Sequence, residues 1–399
     1  MATKCDVLIL GAGVVGLATG IALLESMNSL KVVIAEKEKQ LAMHASGRNS
    51  GVLHAGFYYS PDSLKAKFCR DGNRELRVLA KKYTVPIRDV GKVVVVRNVE
   101  ELPRLETLFQ RGISNGVDLE LLDESQLNEF EPLATTHEKF LWSPTTGVSD
   151  SSGMVQAMYQ MFVSLGGVVR FDTNISLENS GDEIHDASGS YAAKYFVNTA
   201  GAQADRISRS IGVGTEYAML PFMGVYRSTS EKNLSLQRLV YPVPHPINPF
   251  LGVHFTLTLD HKVKIGPTAI PILGREQYSL KNGWSISDIY QATKGAYSLI
   301  RSQEHDFAAI VKSEWPKIIE RQLVKESLEL VPSAINVNDW QKRLPGIRAQ
   351  LVHLPTGKLE QDFVVQSKFN STHVLNAVSP GWTSALPFGR FVAANCSLN

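Results

Sequence analysis

The hexapeptide Gly11-Ala12-Gly13-Val14-Val15-Gly16 follows the apolar run Val7–Leu10, and Glu36 closes a second apolar run, Val32–Ala35. Glycines between a strand and a helix, answered by an acid 25 positions after Gly11, form a grip for a dinucleotide. Gly11 permits a tight turn, Gly13 lets the backbone approach a pyrophosphate at a helix N-terminus, and Gly16 lets helix and strand pack closely. Glu36 offers a carboxylate to ribose hydroxyls. A second stretch with chemical content runs Ser46-Gly47-Arg48-Asn49-Ser50-Gly51-Val52-Leu53-His54-Ala55-Gly56-Phe57-Tyr58-Tyr59. Its small residues, hydroxyls and arginine suit a phosphate or a planar ring, and His54 adds an imidazole that titrates near neutral pH.

Positioning these groups requires βαβ units. Lys4–Leu10 reads as a buried parallel strand, Val15–Ser26 as its helix and Lys31–Ala35 as the next strand. Ser63–Lys82, Val99–Arg111, Asp123–Phe130 and Ser152–Leu165 read as helices, and Lys92–Arg97 as a strand. Gly166-Gly167 turns into a strand over Val168–Phe171, and Tyr195–Thr199 is a further short strand ending at Gly201. Between about 216 and 338 the character changes. Tyr241–Phe250 is too rich in proline for a regular internal strand. Leu251–Leu259 and Val263–Gly266 suit a hairpin around Asp260-His261, and Ile289–Arg321 is mostly helical in composition. The expected fold is α/β: a Rossmann-like domain from 1–82, 145–215 and 340–399, with a discontinuous, mixed-sheet α+β substrate domain from 83–144 and 216–339.

The chain has 399 residues and 44% hydrophobic content, ample for two packed units. A formal net charge of +2 gives no field that argues for nucleic acid. Cys5, Cys69 and Cys396 make no disulfide framework and no metal-like pair, so no metal is expected and a reducing compartment is the plain reading. The 17-residue uncharged run Leu8–Leu24 is short for a membrane span and carries four glycines, which the βα reading explains. No targeting segment is recognised. A cytoplasmic location is expected, with peripheral membrane contact left open.

The chain resembles the L-2-hydroxyglutarate dehydrogenase/oxidase family, within the D-amino-acid-oxidase-like group of FAD oxidoreductases. The matching stretches are GRNSGVLHAGFYY at 47–59, YPVPHP at 241–246, FLGVHFT at 250–256, HKVKIGP at 261–267, LPGIRAQ at 344–350 and NAVSPGWTSALPFG at 376–389. The resemblance spans nearly the whole chain and implies FAD, which the glycine fingerprint alone leaves open. It implies that Gly11, Ala12, Gly13, Val14, Val15, Gly16, Glu36 and Lys37 hold the ADP half. Ser46, Arg48, Asn49, Ser50 and Gly51 would approach pyrophosphate and flavin, and Ile175 would meet adenine through its backbone. Gly201 and Ala202 match a cofactor-facing return, and Gly346, Arg348, Gly381, Trp382 and Thr383 match regions near the isoalloxazine.

The implied reaction is oxidation of L-2-hydroxyglutarate to 2-oxoglutarate. His54 is the first choice for the base that takes the hydroxyl proton while hydride leaves carbon. Arg348 is the expected carboxylate clamp, because a guanidinium holds a carboxylate through two parallel hydrogen bonds. His254 and Thr256, two apart in an extended run, share a face that borders the substrate. Tyr58 and Tyr59 point opposite ways if extended, so one of them reaches the pocket, and Tyr58 is placed with the site. Ser379, Thr383 and Ser384 complete the wall. Trp382 departs from the small residues usual in that segment of related sequences, and strict preference for a five-carbon diacid depends on where it points. The partners expected are a small dicarboxylate and an electron acceptor: oxygen, a quinone or another carrier. The alternatives are an enzyme of another 2-hydroxy acid or of a secondary or N-substituted amino acid, and a flavin-binding protein without catalysis.

Overall fold

The computed structural model describes residues 2–245, 251–302 and 307–398. Strand β1 (Thr3–Leu10) leads into helix α1 (Val14–Ser26) and strand β2 (Val32–Ala35). The last four residues of β1 and all of β2 are buried. This fits an unbroken apolar run covered on both faces. Helix α1 is covered on more than one side. A Cβ at Gly20 would lie 2.6 Å from the Phe162 ring, and a Cβ at Gly389 would lie 2.5 Å from Ala18. Helices Ser151–Ser164 and Ala385–Ala394 therefore approach α1 at glycines. Residues Leu8–Leu24 are thus the end of β1 and most of α1. Among the described residues no helix is long and apolar enough to cross a membrane.

A six-stranded sheet carries the nucleotide side, in the order Val364–Lys368, Ser371–Asn376, Tyr191–Asn198, β1, β2, Val168–Arg170. All neighbours are parallel except the edge pair Val364–Lys368 with Ser371–Asn376. An eight-stranded sheet forms the other side. Its order is Gln341–Lys342, Arg227–Ser230, Lys262–Gly266, His254–Leu257, Leu239–Pro242, Lys92–Val95, Lys139–Ser143, Glu120–Asp123. A third sheet joins the layers, with Tyr217–Gly224 paired along its whole length to Gly346–His353. Within segment 340–399, Gln341–Lys342 pairs with Arg227–Ser230 in the eight-stranded sheet, while Val364–Lys368 and Ser371–Asn376 lie in the six-stranded one.

The helix expected over Ser63–Lys82 spans Leu64–Lys82, with Ser63 Oγ accepting from Ala66 N–H at 3.1 Å as its cap. The hairpin around Asp260-His261 forms from His254–Leu257 and Lys262–Gly266. One expectation is corrected. Tyr241 and Pro242 do belong to an internal strand, Leu239–Pro242, between Lys92–Val95 and His254–Leu257. Pro242 is tolerated because it is the last residue of the strand, beyond the position where Val240 pairs with Phe255. Residues 246–250 of that proline-rich stretch lie outside the described residues.

Candidate active site

One cavity of about 370 Å³ runs between the layers, from the glycine turn to the middle of the eight-stranded sheet. At its nucleotide end α1 begins at Gly13 with no side-chain cap and no acid in its first turn. An open helix N-terminus with no acid in its own first turn suits a pyrophosphate. Ser46 Oγ accepts the Val14 N–H at 3.1 Å, so the second loop already leans over this helix end. Glu36 accepts Ala12 N–H at 2.8 Å and Glu38 N–H at 3.0 Å. Those bonds fix the carboxylate at the rim and leave each oxygen a further lone pair for ribose hydroxyls.

Of the residues expected at the cofactor, Gly11, Ala12, Gly13, Val14, Val15, Glu36, Lys37, Ser46, Arg48, Asn49, Ser50, Ile175 and Gly201 line the cavity. Gly346, Arg348, Gly381, Trp382 and Thr383 line it as well, with Ala202. Gly16 and Gly51 do not. A Cβ at Gly16 would stand 2.0 Å from the Gly11 carbonyl oxygen, so this glycine serves the strand–helix approach. Gly51 has φ +75° and accepts the Ser149 N–H through its carbonyl, so it shapes the loop. Arg48 donates to the Met43 carbonyl at 2.6 Å, and its guanidinium lies over the Tyr278 ring at 4.1 Å. Glu38, His44 and Glu276 converge nearby, and Lys37 Nζ already sits among them, 3.0 Å from His44 Nε2 and 3.1 Å from Glu276.

The far end holds His54, His254 and Arg348 together on the cavity wall. Thr383 Oγ1 ties this end to the C-terminal loop: it donates to the Val52 carbonyl at 3.2 Å and accepts the His54 N–H at 3.3 Å. Asn73 fixes the same loop from beneath, donating to the carbonyl oxygens of His54 and Leu53 at 3.1 and 3.2 Å. His54 Nδ1 has no hydrogen-bond partner among the described residues. Burial, then the charges of Lys92, His254 and Arg348, hold the His54 imidazole well below its ordinary pKa. Burial pushes His254 down to about 3, with Lys92 and Arg348 adding to it and the Gly252 hydrogen bond opposing. His254 Nδ1 lies 2.8 Å from the Gly252 carbonyl, which only accepts. The neutral ring therefore carries its proton on Nδ1 and leaves Nε2 bare.

Cations collect around this end. Arg348 is enclosed, and burial is the main influence lowering its pKa, although a guanidinium stays charged. Burial pushes Lys264 and Lys65 down to about 8. Lys264 Nζ donates to the Ser50 carbonyl at 3.0 Å. Of these cations only Arg348 lines the cavity, so it is the one that an entering dicarboxylate meets on the wall.

Three expected contacts are displaced, and one of them, Ser384, is fully buried and off the wall, whereas Ser379 and Thr383 line it. Tyr58 does not line the cavity: its ring packs on Phe57 with centroids 4.3 Å apart, behind the wall. Thr256 is fully buried and also off the wall, further along the strand from His254. The wall includes Tyr241, whose ring stacks on His254 with centroids 3.8 Å apart. Tyr226 and Tyr278 line it too. Tyr241 opens the YPVPHP stretch, though no role was expected of it there; no motif singled out Tyr226 or Tyr278. Trp382 does enter the wall, and its indole Nε1 has no partner among the described residues.

A family model described as FAD dependent oxidoreductase matches residues 6–395. The protein is thus of the class that the glycine turn, the open helix end and the two-layer fold define. The mitochondrial L-2-hydroxyglutarate dehydrogenase of Caenorhabditis elegans is 35% identical over 98% of this chain and 93% of its own length. L-2-hydroxyglutarate dehydrogenase of Escherichia coli (strain K12) is 32% identical over 98% of this chain and 92% of its own length. The chain belongs to the FAD-dependent oxidoreductase family, on the branch of these L-2-hydroxyglutarate dehydrogenases. Solved structures agree in fold: L-alpha-glycerophosphate oxidase from Mycoplasma pneumoniae, at 22% identity, gives a TM-score of 0.75 over 98% of this chain and 94% of that one. Glycine oxidase from Geobacillus kaustophilus, at 18% identity, gives 0.70 over the same shares, 98% and 94%.

Proposed function

We propose that this protein oxidises L-2-hydroxyglutarate to 2-oxoglutarate, with FAD in the cavity. The observation that carries the reading is the meeting of two neutral imidazoles with the Arg348 guanidinium at one end of a cavity whose other end is a dinucleotide grip. Bound FAD supplies the acceptor for the hydride that leaves C2. Arg348 pairs with a substrate carboxylate and orients the acid. His54, held neutral on the cavity wall, accepts the hydroxyl proton as the carbonyl forms. The substrate's negative charge offsets the nearby cations and raises the proton affinity of this imidazole when the proton arrives. His254 presents its bare Nε2 on the same wall and holds its tautomer through Gly252. Thr383 and Asn73 keep the His54 backbone in place.

Trp382 on the wall supports a second reading, in which another 2-hydroxy acid is the preferred substrate. The electrons pass on to oxygen, a quinone or another carrier. A cytoplasmic protein with peripheral contact to a membrane is in keeping with the exposed Trp284, Ile286, Tyr290 and Tyr297. The test is anaerobic reduction of the bound flavin by L-2-hydroxyglutarate, its D isomer, shorter 2-hydroxy acids and N-substituted amino acids. Bleaching by the L diacid first and fastest is expected; bleaching by an amino acid alone would overturn the proposal.

A further inference from the structure

Lys92 heads the strand Lys92–Val95 and is fully buried in the eight-stranded sheet. Its Nζ has no hydrogen-bond partner among the described residues. Three aromatic rings surround it instead: Tyr241 at 4.2 Å, Tyr58 at 5.0 Å and Phe57 at 5.2 Å. Ring faces attract an ammonium but replace only part of its lost hydration. A buried amine without a carboxylate is a stability cost, so its presence needs another reason. Tyr241 supplies one, because its ring meets Lys92 while stacking on His254 at the cavity wall.

We propose that Lys92 is a positioning residue of the site: its ammonium, caged behind Tyr241, supplies buried positive charge that draws the dicarboxylate to the His54–His254 end of the cavity and keeps both imidazoles unprotonated. This inference rests on the function proposed above. Lys92 charge ranks directly after burial among the influences that lower His54. The groups facing Lys92 come from every element packed around it. They are Tyr241 and His254 from neighbouring strands, Ser143 opposite it in register, His54 and Tyr58 from the loop, and Cys69 from helix Leu64–Lys82. Burial pushes the Lys92 amine down to about 7. His254 titrates far below that value, whereas burial raises Tyr58, Tyr241 and Cys69 above their ordinary values. Lys65 and Lys264 titrate near 8, so the contribution of Lys92 has to be read by removing it. The amine is charged below about 7 and loses its pull on an anion as pH rises through that value.

The experiment compares wild type, Lys92→Met and Lys92→Gln as holoenzymes, measuring KM and kcat for L-2-hydroxyglutarate from about pH 6 to about pH 9. Both variants are expected to raise KM by about tenfold at the acid end, with the deficit shrinking toward the alkaline end and kcat changing less than KM. Lys92→Met is expected to melt no lower than wild type, because an unpaired buried charge has been replaced by an apolar chain of similar length. A purely structural lysine predicts the opposite: a lower melting temperature and a KM ratio independent of pH. That result, in either variant that retains FAD, would overturn the inference. Wild-type flavin that L-2-hydroxyglutarate fails to reduce would instead overturn the function proposed above.

Discussion

Two glycines four residues or fewer from the start of α1 separate cofactor binding from folding. At Gly16 an added Cβ would stand 2.0 Å from the Gly11 carbonyl oxygen and 2.7 Å from Thr199 Oγ1. Carbon and oxygen need about an ångström more than that, and the obstacle is backbone, so the turn itself must move. Gly16→Ala should cost about 3 kcal/mol of stability, the upper range for overpacking a tight contact. At Gly13 the same Cβ meets only Ser46 Oγ, at 3.0 Å, which is the end of a rotatable side chain. The Gly13 backbone, with φ −74° and ψ 176°, is open to alanine. Reduced freedom of the unfolded chain gives back roughly 0.4–1 kcal/mol, so the apo fold of Gly13→Ala should be nearly unchanged. Its methyl nevertheless lies where the pyrophosphate approaches the open helix end, and a displacement there should weaken FAD by about 10- to 100-fold. Apoproteins would be titrated with FAD by flavin fluorescence and melted in parallel. A Gly13→Ala protein that folds normally and keeps FAD within about threefold of wild type would refute the assignment of this turn to the pyrophosphate.

Further outcomes follow from the same geometry. His54→Gln should keep FAD bound while slowing flavin reduction by about 10²- to 10⁴-fold in stopped flow, the range for loss of a general base. Because the His54 pKa is lowered, the base form is present at neutral pH and is lost only as pH falls below its ordinary value. The acid limb of kcat/KM should accordingly lie below about pH 6.5; a limb centred above it would contradict the burial of this imidazole. Asp205, fully buried, meets Arg275 Nη2 at 2.9 Å, and Arg275 Nε reaches Asp288 at 2.9 Å. Asp205→Ala leaves a buried guanidinium short of its partner and should cost about 3–5 kcal/mol in denaturant melts.

The nucleotide half was readable because its signals are local. The apolar runs around Gly11 to Gly16 and the acid at Glu36 fix a strand, a turn and a helix within forty residues, and the structure has them as β1, α1 and β2. The resemblance placed His54, His254 and Arg348 near one another, and they share the cavity wall. What escaped depends on which distant strands pair. Tyr241 reaches His254 and Lys92 only because Leu239–Pro242 lies between their strands. Tyr58 was placed on the wall from alternation alone, yet the loop turns its ring onto Phe57. Lys92 reads from the sequence only as the first residue of a strand, Lys92–Arg97; its burial and the rings around it come from the packed sheet. Proline in Tyr241–Pro242 argued against an internal strand, and it is admitted because the antiparallel pairing ends before it.

The central claim is that the acid-binding end of this cavity presents an L-2-hydroxy diacid to bound FAD. Mixing oxidised holoprotein anaerobically with L-2-hydroxyglutarate and following the flavin absorbance tests it most directly. Full bleaching with release of 2-oxoglutarate, and none with the D isomer at equal concentration, is the predicted result. Flavin that stays oxidised with the L isomer while remaining bound would contradict it.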